Sequence, residues 1–479
     1  MNNRTDQKTA FTNIKKIVGN RGWITDPNDM KPFVTEWLKI LSGSCEMVVL
    51  PGSSSEVAQV VRICNSASIP ITPQGGNTGM VGGAVPDGGI VLTTERLNKV
   101  RDLDVENATI TVESGCLLAD VQSAAADAGF LFPLTLASEG SCRIGGNIAT
   151  NAGGNNTVRY GNTREQVLGL EVVLPDGRIW NGLRALRKDN TGYDLKHLFI
   201  GAEGTLGVIT AAVLSLVPMP LDRVTALAAA QSWDGLLKLF MTMRSRLSSA
   251  LIAFEVFTEL GMKITVEHIH NASDPFGKTY PLYALIEAVT YGDDAAIHVA
   301  LEAGLSEALE KGILVDAVLA ESGAQAENLW NVREGLPEAQ SIETLVIKHD
   351  ISVPISKVPN FVMKGSAIMA EYIPGARLLP FGHMGDGNLH FNLLQPSEMT
   401  REAFLGHKLE INRKLHELAI SMGGSFSAEH GIGLNKVKDL ARYRDDVEID
   451  LMVSIKRAFD PINIMNPGKV IDNKSFETG

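Results

Sequence analysis

The sequence predicts an α+β protein of more than one domain, and three observations carry that expectation. Between 224 and 318 the hydrophobic patterning runs strand, helix, strand, strand, helix, strand, which is the ferredoxin-like order. Glycine-rich stretches recur at 73–83, 140–154 and 203–207, and the first leads into another strand where a dinucleotide-binding βαβ unit would open a helix. The chain has 479 residues, about three domains' worth at roughly 150 each. With 44% hydrophobic against 20% charged residues it can fill large cores.

Each element follows from local pattern. After a polar start, Val57, Val60, Val61 and Cys64 fall at i, i+3, i+4 and i+7, one face of a helix that runs into a strand at 69–72. Strands at 90–94 and 109–113 follow, then a helical stripe at Leu118, Val121 and Ala125. Asp176-Gly177 between runs at 169–174 and 178–180 is a hairpin signal. A strand at 206–217 ends at Pro218-Met219-Pro220, which sets a domain 1–219 against a second at 220–424. The second reads as strand 224–229, helix 233–247, strands 251–257 and 283–289, helix 293–311 and strand 313–318. Strands at 377–381 and 391–394 then bracket a polar turn, and a charged helix spans 401–420. Residues 425–479 form a last segment, glycine-rich around Glu429-His430, that returns to the first domain.

Composition removes several function classes. The 43 Lys+Arg against 55 Asp+Glu leave a net charge of −12 and no basic face for nucleic acid. Cys45, Cys64, Cys116 and Cys142 lie far apart without a CxxC pair, which suits small buried thiols in a reducing compartment. No apolar run approaches the ~20 residues of a bilayer span and the amino terminus has no signal-type core, so a cytoplasmic protein is expected. Gly277-Lys278-Thr279 ends like a P-loop, but Ala272 stands where that loop requires glycine.

A lone glycine loop is as readily a plain turn as a ligand cradle. Three within one domain, each offering backbone amides at close approach, argue for an extended cofactor. In order, spacing and wording these stretches, Pro73-Gln74-Gly75-Gly76-Asn77-Thr78-Gly79-Met80-Val81-Gly82-Gly83, Ser138 through Gly154, and Glu203-Gly204-Thr205-Leu206-Gly207-Val208-Ile209, resemble the FAD-binding domain of the vanillyl-alcohol oxidase/para-cresol methylhydroxylase superfamily over about residues 45–220. The whole chain resembles its D-2-hydroxyglutarate and D-lactate dehydrogenase branch. The resemblance implies a two-subdomain FAD-binding domain plus a ferredoxin-like α+β cap. It assigns the flavin to Pro73, Gly75, Gly76, Asn77, Thr78, Gly79, Met80 and Gly82, and to Ser138, Gly140, Ser141, Ile144, Gly145, Gly146, Asn147, Thr150, Asn151, Gly153 and Gly154. Glu203, Gly204 and Ile209 join them, with Asn466 of the Asn466-Pro467-Gly468-Lys469 tail. No histidine lies in the two main clusters, and the branch carries the Cys142 stretch without a flavin bond, so the FAD is expected to be noncovalent.

Six of the ten histidines fall between 349 and 430. His407 and His416, on the charged helix, read as solvent-facing. His383 and His390 flank the turn Met384-Gly385-Asp386-Gly387-Asn388-Leu389, so both imidazoles could converge at one mouth of a hairpin. Two imidazoles and a carboxylate are a set that zinc and similar ions take; by residue type the carboxylate is Glu429, with Asp386 competing. The resemblance implies His383, His390 and Glu429 as ligands of a divalent metal, zinc by expectation, and His430 as general base, an imidazole being able to take a hydroxyl proton.

For the substrate, Arg333 on a helical stretch and Lys348 beside the strand 345–347 match cations that bind substrate carboxylate in the similar dehydrogenases, and Asn392 matches a further polar contact. Those enzymes place a threonine four residues after the arginine; Pro337 stands here. The reading is FAD-dependent oxidation of a short D-2-hydroxy acid, D-2-hydroxyglutarate or D-malate, with D-lactate as rival. A flavin-free metallohydrolase and a catalytically silent flavin binder are the readings from other classes. The expected partners are the hydroxy acid and an unidentified electron acceptor, and a homodimer stays open.

Overall fold

The computed structural model describes residues 2–292 and 296–474. They divide into two compact units, Met1–Ala152 with Asn162–Pro218 and Glu429–Gly479, and Gly153–Gly161 with Met219–Ala428. Among the described residues no helix is long and apolar enough to cross a membrane.

The first unit holds two sheets. One lays Trp23–Ile24, Met47–Val49, Ile90–Thr93 and Ile71–Gln74 side by side, with Ile90–Thr93 parallel to both its long neighbours. Helix Ser54–Ala67 packs on it because its i, i+3, i+4, i+7 stripe buries Val57, Val60, Val61 and Cys64 with Ile71, Ile90 and Leu92. Ser53 caps that helix, accepting from Glu56 N at 3.2 Å. The other sheet is antiparallel, in the order Val100–Asp104, Thr109–Glu113, Val208–Ser215, Val167–Val173, Ile179–Gly182. Its last hairpin turns at Gly177, φ +80°, and helix Leu118–Asp127 buries Leu118, Val121 and Ala125 in its core. The carboxy-terminal tail joins the open side of Ile71–Gln74: Ile71 N donates to Ile464 O at 2.7 Å and Asn466 N to Ile71 O at 2.8 Å.

The second unit is built on one antiparallel sheet, in the order Asp316–Leu319, Asp222–Ala230, Leu282–Thr290, Leu251–Thr258, Arg377–His383, Asn388–Leu394, Val346–Ile347. The first four strands, numbered along the chain, stand fourth, first, third, second, the ferredoxin-like arrangement, and the 377–394 hairpin extends it. Helices Trp233–Leu247 and Ala296–Glu310 cover one face, and Glu259–His268, Gly323–Glu334 and Leu336–Glu343 the other.

Several expectations are corrected. Helix Glu259–His268 fills a stretch that sequence pattern left blank. The predicted helix start at 293 lies outside the described residues. The helix predicted over 401–420 is two, Arg401–Gly406 and Lys408–Ser421, and His407, half-buried between them, packs on Tyr372 with its Nδ1 3.3 Å from the hydroxyl. His416 is buried, not solvent-facing: it stands beside Leu415 on the edge of the Ile411, Leu415, Ala419 face and packs against His349 and Phe426. Strands Arg377–His383 and Asn388–Leu394 run further toward the turn than predicted, so both histidines lie within strands.

Candidate active site

A cleft in the first unit is lined by all three glycine stretches. Pro73, Gly75, Gly76, Asn77, Thr78 and Gly79 line it, with Gly145, Gly146, Asn147, Thr150, Glu203, Gly204 and Ile209. The glycines have two different jobs. A Cβ on Gly76 would run into Ser141 O and Cys142 Cα, so this glycine lets two loops touch. A Cβ on Gly146 or Gly79 meets nothing within 4 Å, so these keep the cleft itself clear.

Other residues assigned to the flavin stand back from the cleft. Met80, Gly82, Ser138, Gly140, Ser141, Ile144, Asn151 and Asn466 do not line it, and Gly153 and Gly154 belong to the second unit. Ile144 turns into the apolar core, Asn151 Oδ1 accepts from Arg164 N at 2.9 Å, and Asn466 Nδ2 donates to Gly83 O and Glu203 O, both at 2.8 Å. Asn466 thus ties two cleft stretches together from behind. Arg143, which sequence reasoning passed over, lines the cleft; its Nη1 donates to Gly115 O at 2.6 Å, while its buried Nε has no hydrogen-bond partner among the described residues. A basic residue inside a glycine loop was the available signal. An orphan donor and a clear glycine wall fit a dinucleotide cofactor.

His430 also lines the cleft. The turn after it is held by Glu203, whose carboxylate accepts from Ile432 N and Gly433 N at 2.7 Å each. Burial pushes the Glu203 carboxyl up and the two amides pull it down, with burial the larger effect. Gly431 and Gly433 have φ of +77° and +52°, the left-handed region that a residue with a Cβ enters only with strain. Further along, Lys456 Nζ donates to Thr205 O, Asp460 Oδ2 and Met465 O at 2.9, 2.6 and 2.8 Å, and Asp460 accepts from Ile464 N and Met465 N. This buried knot anchors the tail that carries Asn466.

In the second unit, the register Phe381↔His390 and His383↔Asn388 puts His383 and His390 on one sheet face, their ring centroids 5.6 Å apart. Glu255 stands opposite His383 on the neighbouring strand. Its fully buried carboxylate lies 2.9 Å from His383 Nδ1 through either oxygen and accepts from Arg333 Nε at 2.9 Å and Nη2 at 2.8 Å. Burial alone would raise this carboxyl, but His383 and Arg333 together hold it below the usual carboxylate range. Asp386 caps the turn, accepting from Asn388 N at 3.0 Å. Asp350, also missed from sequence, accepts from Asn388 Nδ2 at 2.9 Å and from Ala428 N at 3.1 Å, so it fixes the residue before Glu429.

Arg333 therefore has a protein partner, and of the two cations singled out only the Lys348 ammonium makes no hydrogen bond or ion pair among the described residues. Burial pushes its pKa down. Asn392 is buried with both ends engaged: Oδ1 accepts from His349 N and Nδ2 donates to Gln340 Oε1, at 2.9 Å each. It holds the backbone directly after Lys348. The signal for Glu255 was a lone acid in the apolar strand Leu251–Thr258.

Comparison with known proteins adds a second line of evidence. Residues 45–182 match the FAD binding domain model and residues 219–470 the model for FAD linked oxidases, C-terminal domain. The chain is 40% identical over 457 residues to a D-2-hydroxyglutarate dehydrogenase of Xanthomonas citri pv. viticola, covering 95% of each. It is 39% identical over 463 residues to the mitochondrial D-2-hydroxyglutarate dehydrogenase of Bos taurus, covering 96% of this chain and 82% of that one. Among solved structures, substrate-bound p-cresol methylhydroxylase superposes with a TM-score of 0.78 at 16% identity, covering 98% of both chains. An alkyldihydroxyacetonephosphate synthase does so at 0.73 and 17%, covering 96% of this chain and 84% of that one. These structural likenesses show the two-subdomain α+β fold.

Proposed function

Because the chain belongs to the FAD-linked oxidase family, in its D-2-hydroxyglutarate dehydrogenase branch, we propose that this FAD-dependent oxidoreductase oxidises a short D-2-hydroxy dicarboxylate, D-2-hydroxyglutarate or D-malate, to the 2-keto acid. The observation that carries the reading is His430 in the wall of the cleft lined by the three glycine stretches. FAD, when bound, supplies the hydride acceptor. His430 takes the proton of the substrate hydroxyl as hydride leaves the adjacent carbon, and Glu203 holds the turn that aims it. His383 and His390, with Glu429, would hold a divalent metal, zinc by donor type, whose chemistry is to polarise the hydroxyl and C1 carboxylate oxygens.

The dicarboxylate is favoured over D-lactate by Lys348, a cation without a partner among the described residues that a distal carboxylate would neutralise. Arg333, already neutralised by Glu255, presents its remaining guanidinium edge to the same substrate as a hydrogen-bond donor and not as a net charge. The testing experiment is anaerobic mixing of the purified protein with D and L forms of 2-hydroxyglutarate, malate and lactate. Flavin absorbance should bleach fastest with a D dicarboxylate. A protein purified without flavin would leave the metallohydrolase, unbleached flavin would leave the silent binder, and faster bleaching by D-lactate would reverse the chain-length choice.

A further inference from the structure

Glu255 has no exposed surface and sits in a central strand of the second unit. Burying a carboxylate is expensive unless it is paired, and the bidentate-capable guanidinium of Arg333 at 2.8–2.9 Å already pairs it. The contact with His383 is additional. Nδ1 lies 2.9 Å from both carboxylate oxygens, which aims the imidazole into the fork between them. A carboxylate that pairs with a guanidinium acts as acceptor, so the hydrogen of this contact sits on Nδ1 and Nε2 is left to face an ion. The strand register repeats this constraint at the backbone, where Glu255 and His383 are direct cross-strand partners.

We propose that Glu255 is a positioning residue for metal binding: it fixes His383 in the tautomer and ring orientation that present Nε2 to the ion, and its pairing with Arg333 keeps that carboxylate in place. The inference rests on the proposed metal centre. One carboxylate thereby ties a metal-ligating histidine to a residue proposed to touch substrate, so a change at Arg333 should be felt in metal affinity even though Arg333 ligates nothing. Carboxylate partners of this kind orient ligating histidines, and their loss typically lowers metal affinity roughly 10–100-fold.

The test is zinc affinity of the flavin-loaded protein, measured by competition with a chromophoric chelator after metal removal, for wild type, Glu255→Gln, His383→Ala and the double variant Glu255→Leu/Arg333→Met. The double variant removes the ion pair as a whole and so avoids stranding a buried charge. With flavin content unchanged, Glu255→Gln and the double variant should bind zinc about 10–100-fold more weakly, and His383→Ala should lose it. Wild type that takes up no zinc would overturn the metal centre and this inference with it. A folded, flavin-loaded double variant with wild-type zinc affinity would overturn the inference alone. Independently of any variant, side-chain 15N shifts of His383 in the zinc-free protein should report a protonated Nδ1 and an unprotonated Nε2; the opposite tautomer would also overturn it.

Discussion

Two glycines of the cleft proposed for the flavin look equivalent in the sequence and differ in space. Gly76→Val drives a side chain into the Ser141 carbonyl, and should lower the melting temperature and purify poorly. Gly146→Val has clear space, and should keep its fold by circular dichroism while losing most of its flavin absorbance. Full flavin in a folded Gly146→Val protein would mean that the cofactor lies elsewhere. The two cations part in the same way. Arg333→Met leaves the buried Glu255 carboxylate without its guanidinium, with His383 as its remaining named partner, and should cost about 3–5 kcal/mol of stability. Lys348→Met removes a half-buried charge that has no partner among the described residues, and should leave the melting temperature unchanged or raised. In Lys348→Met, kcat/KM for D-2-hydroxyglutarate and D-malate should fall roughly 10–150-fold, the worth of one charge-assisted contact, with D-lactate little affected. An equal fall for all three would assign Lys348 to the shared C1 carboxylate.

Three strands each carry one acid in an apolar run, and each acid proves to be paired. Glu255 holds His383 and Arg333; Glu287 accepts from Arg223, Thr225 and Trp330; Glu171 accepts from Ser54 at 2.6 Å, Thr210 at 2.8 Å and Arg101 at 3.2 Å. Burial pushes the Glu171 carboxyl up, but the hydroxyls and the guanidinium outweigh it and hold the pKa below the ordinary value. A depressed folded-state pKa contributes stability above the unfolded value of about 4.3 and loses it as pH falls through the folded one. The melting-temperature deficit of Glu171→Gln should therefore be full at pH 7 and shrink below about pH 4.3. A deficit that stays constant to pH 3 would show that shape, not charge, matters there. The strand pattern was legible because apolar runs announce buried strands; the partners were not, since Ser54 and Glu171 are 117 positions apart.

At the scale of the whole chain, the first unit is closed by residues that come last. Ile464 to Asn466 complete the edge beside Ile71, and Asn466 ties Gly83 to Glu203 across hundreds of intervening residues. The tie depends on the Lys456 and Asp460 knot. Asp460→Ala leaves a buried ammonium with only carbonyl partners and frees Ile464 N and Met465 N. It should cost about 3–5 kcal/mol and release flavin at a lower temperature than wild type, followed by flavin fluorescence on heating. Unchanged flavin release with a lowered melting temperature would confine the knot to stability.

The sequence by itself determined that the protein is α+β, that it carries three glycine stretches suited to an extended cofactor, and that the second half follows a ferredoxin-like order. Those properties are local: hydrophobic period, turn residues and short motifs are written within a dozen positions. It also singled out His383, His390 and His430 by their spacing and neighbours. Only the tertiary structure decided how such residues are used. It separated Gly76 from Gly146, drew Arg333 to Glu255 and left Lys348 without a partner among the described residues, turned His416 inward, and set Glu203 against the turn after His430. Each of these is a contact between residues far apart in the chain, and charge pairing or close packing across such distances leaves no periodic trace in the order of residues.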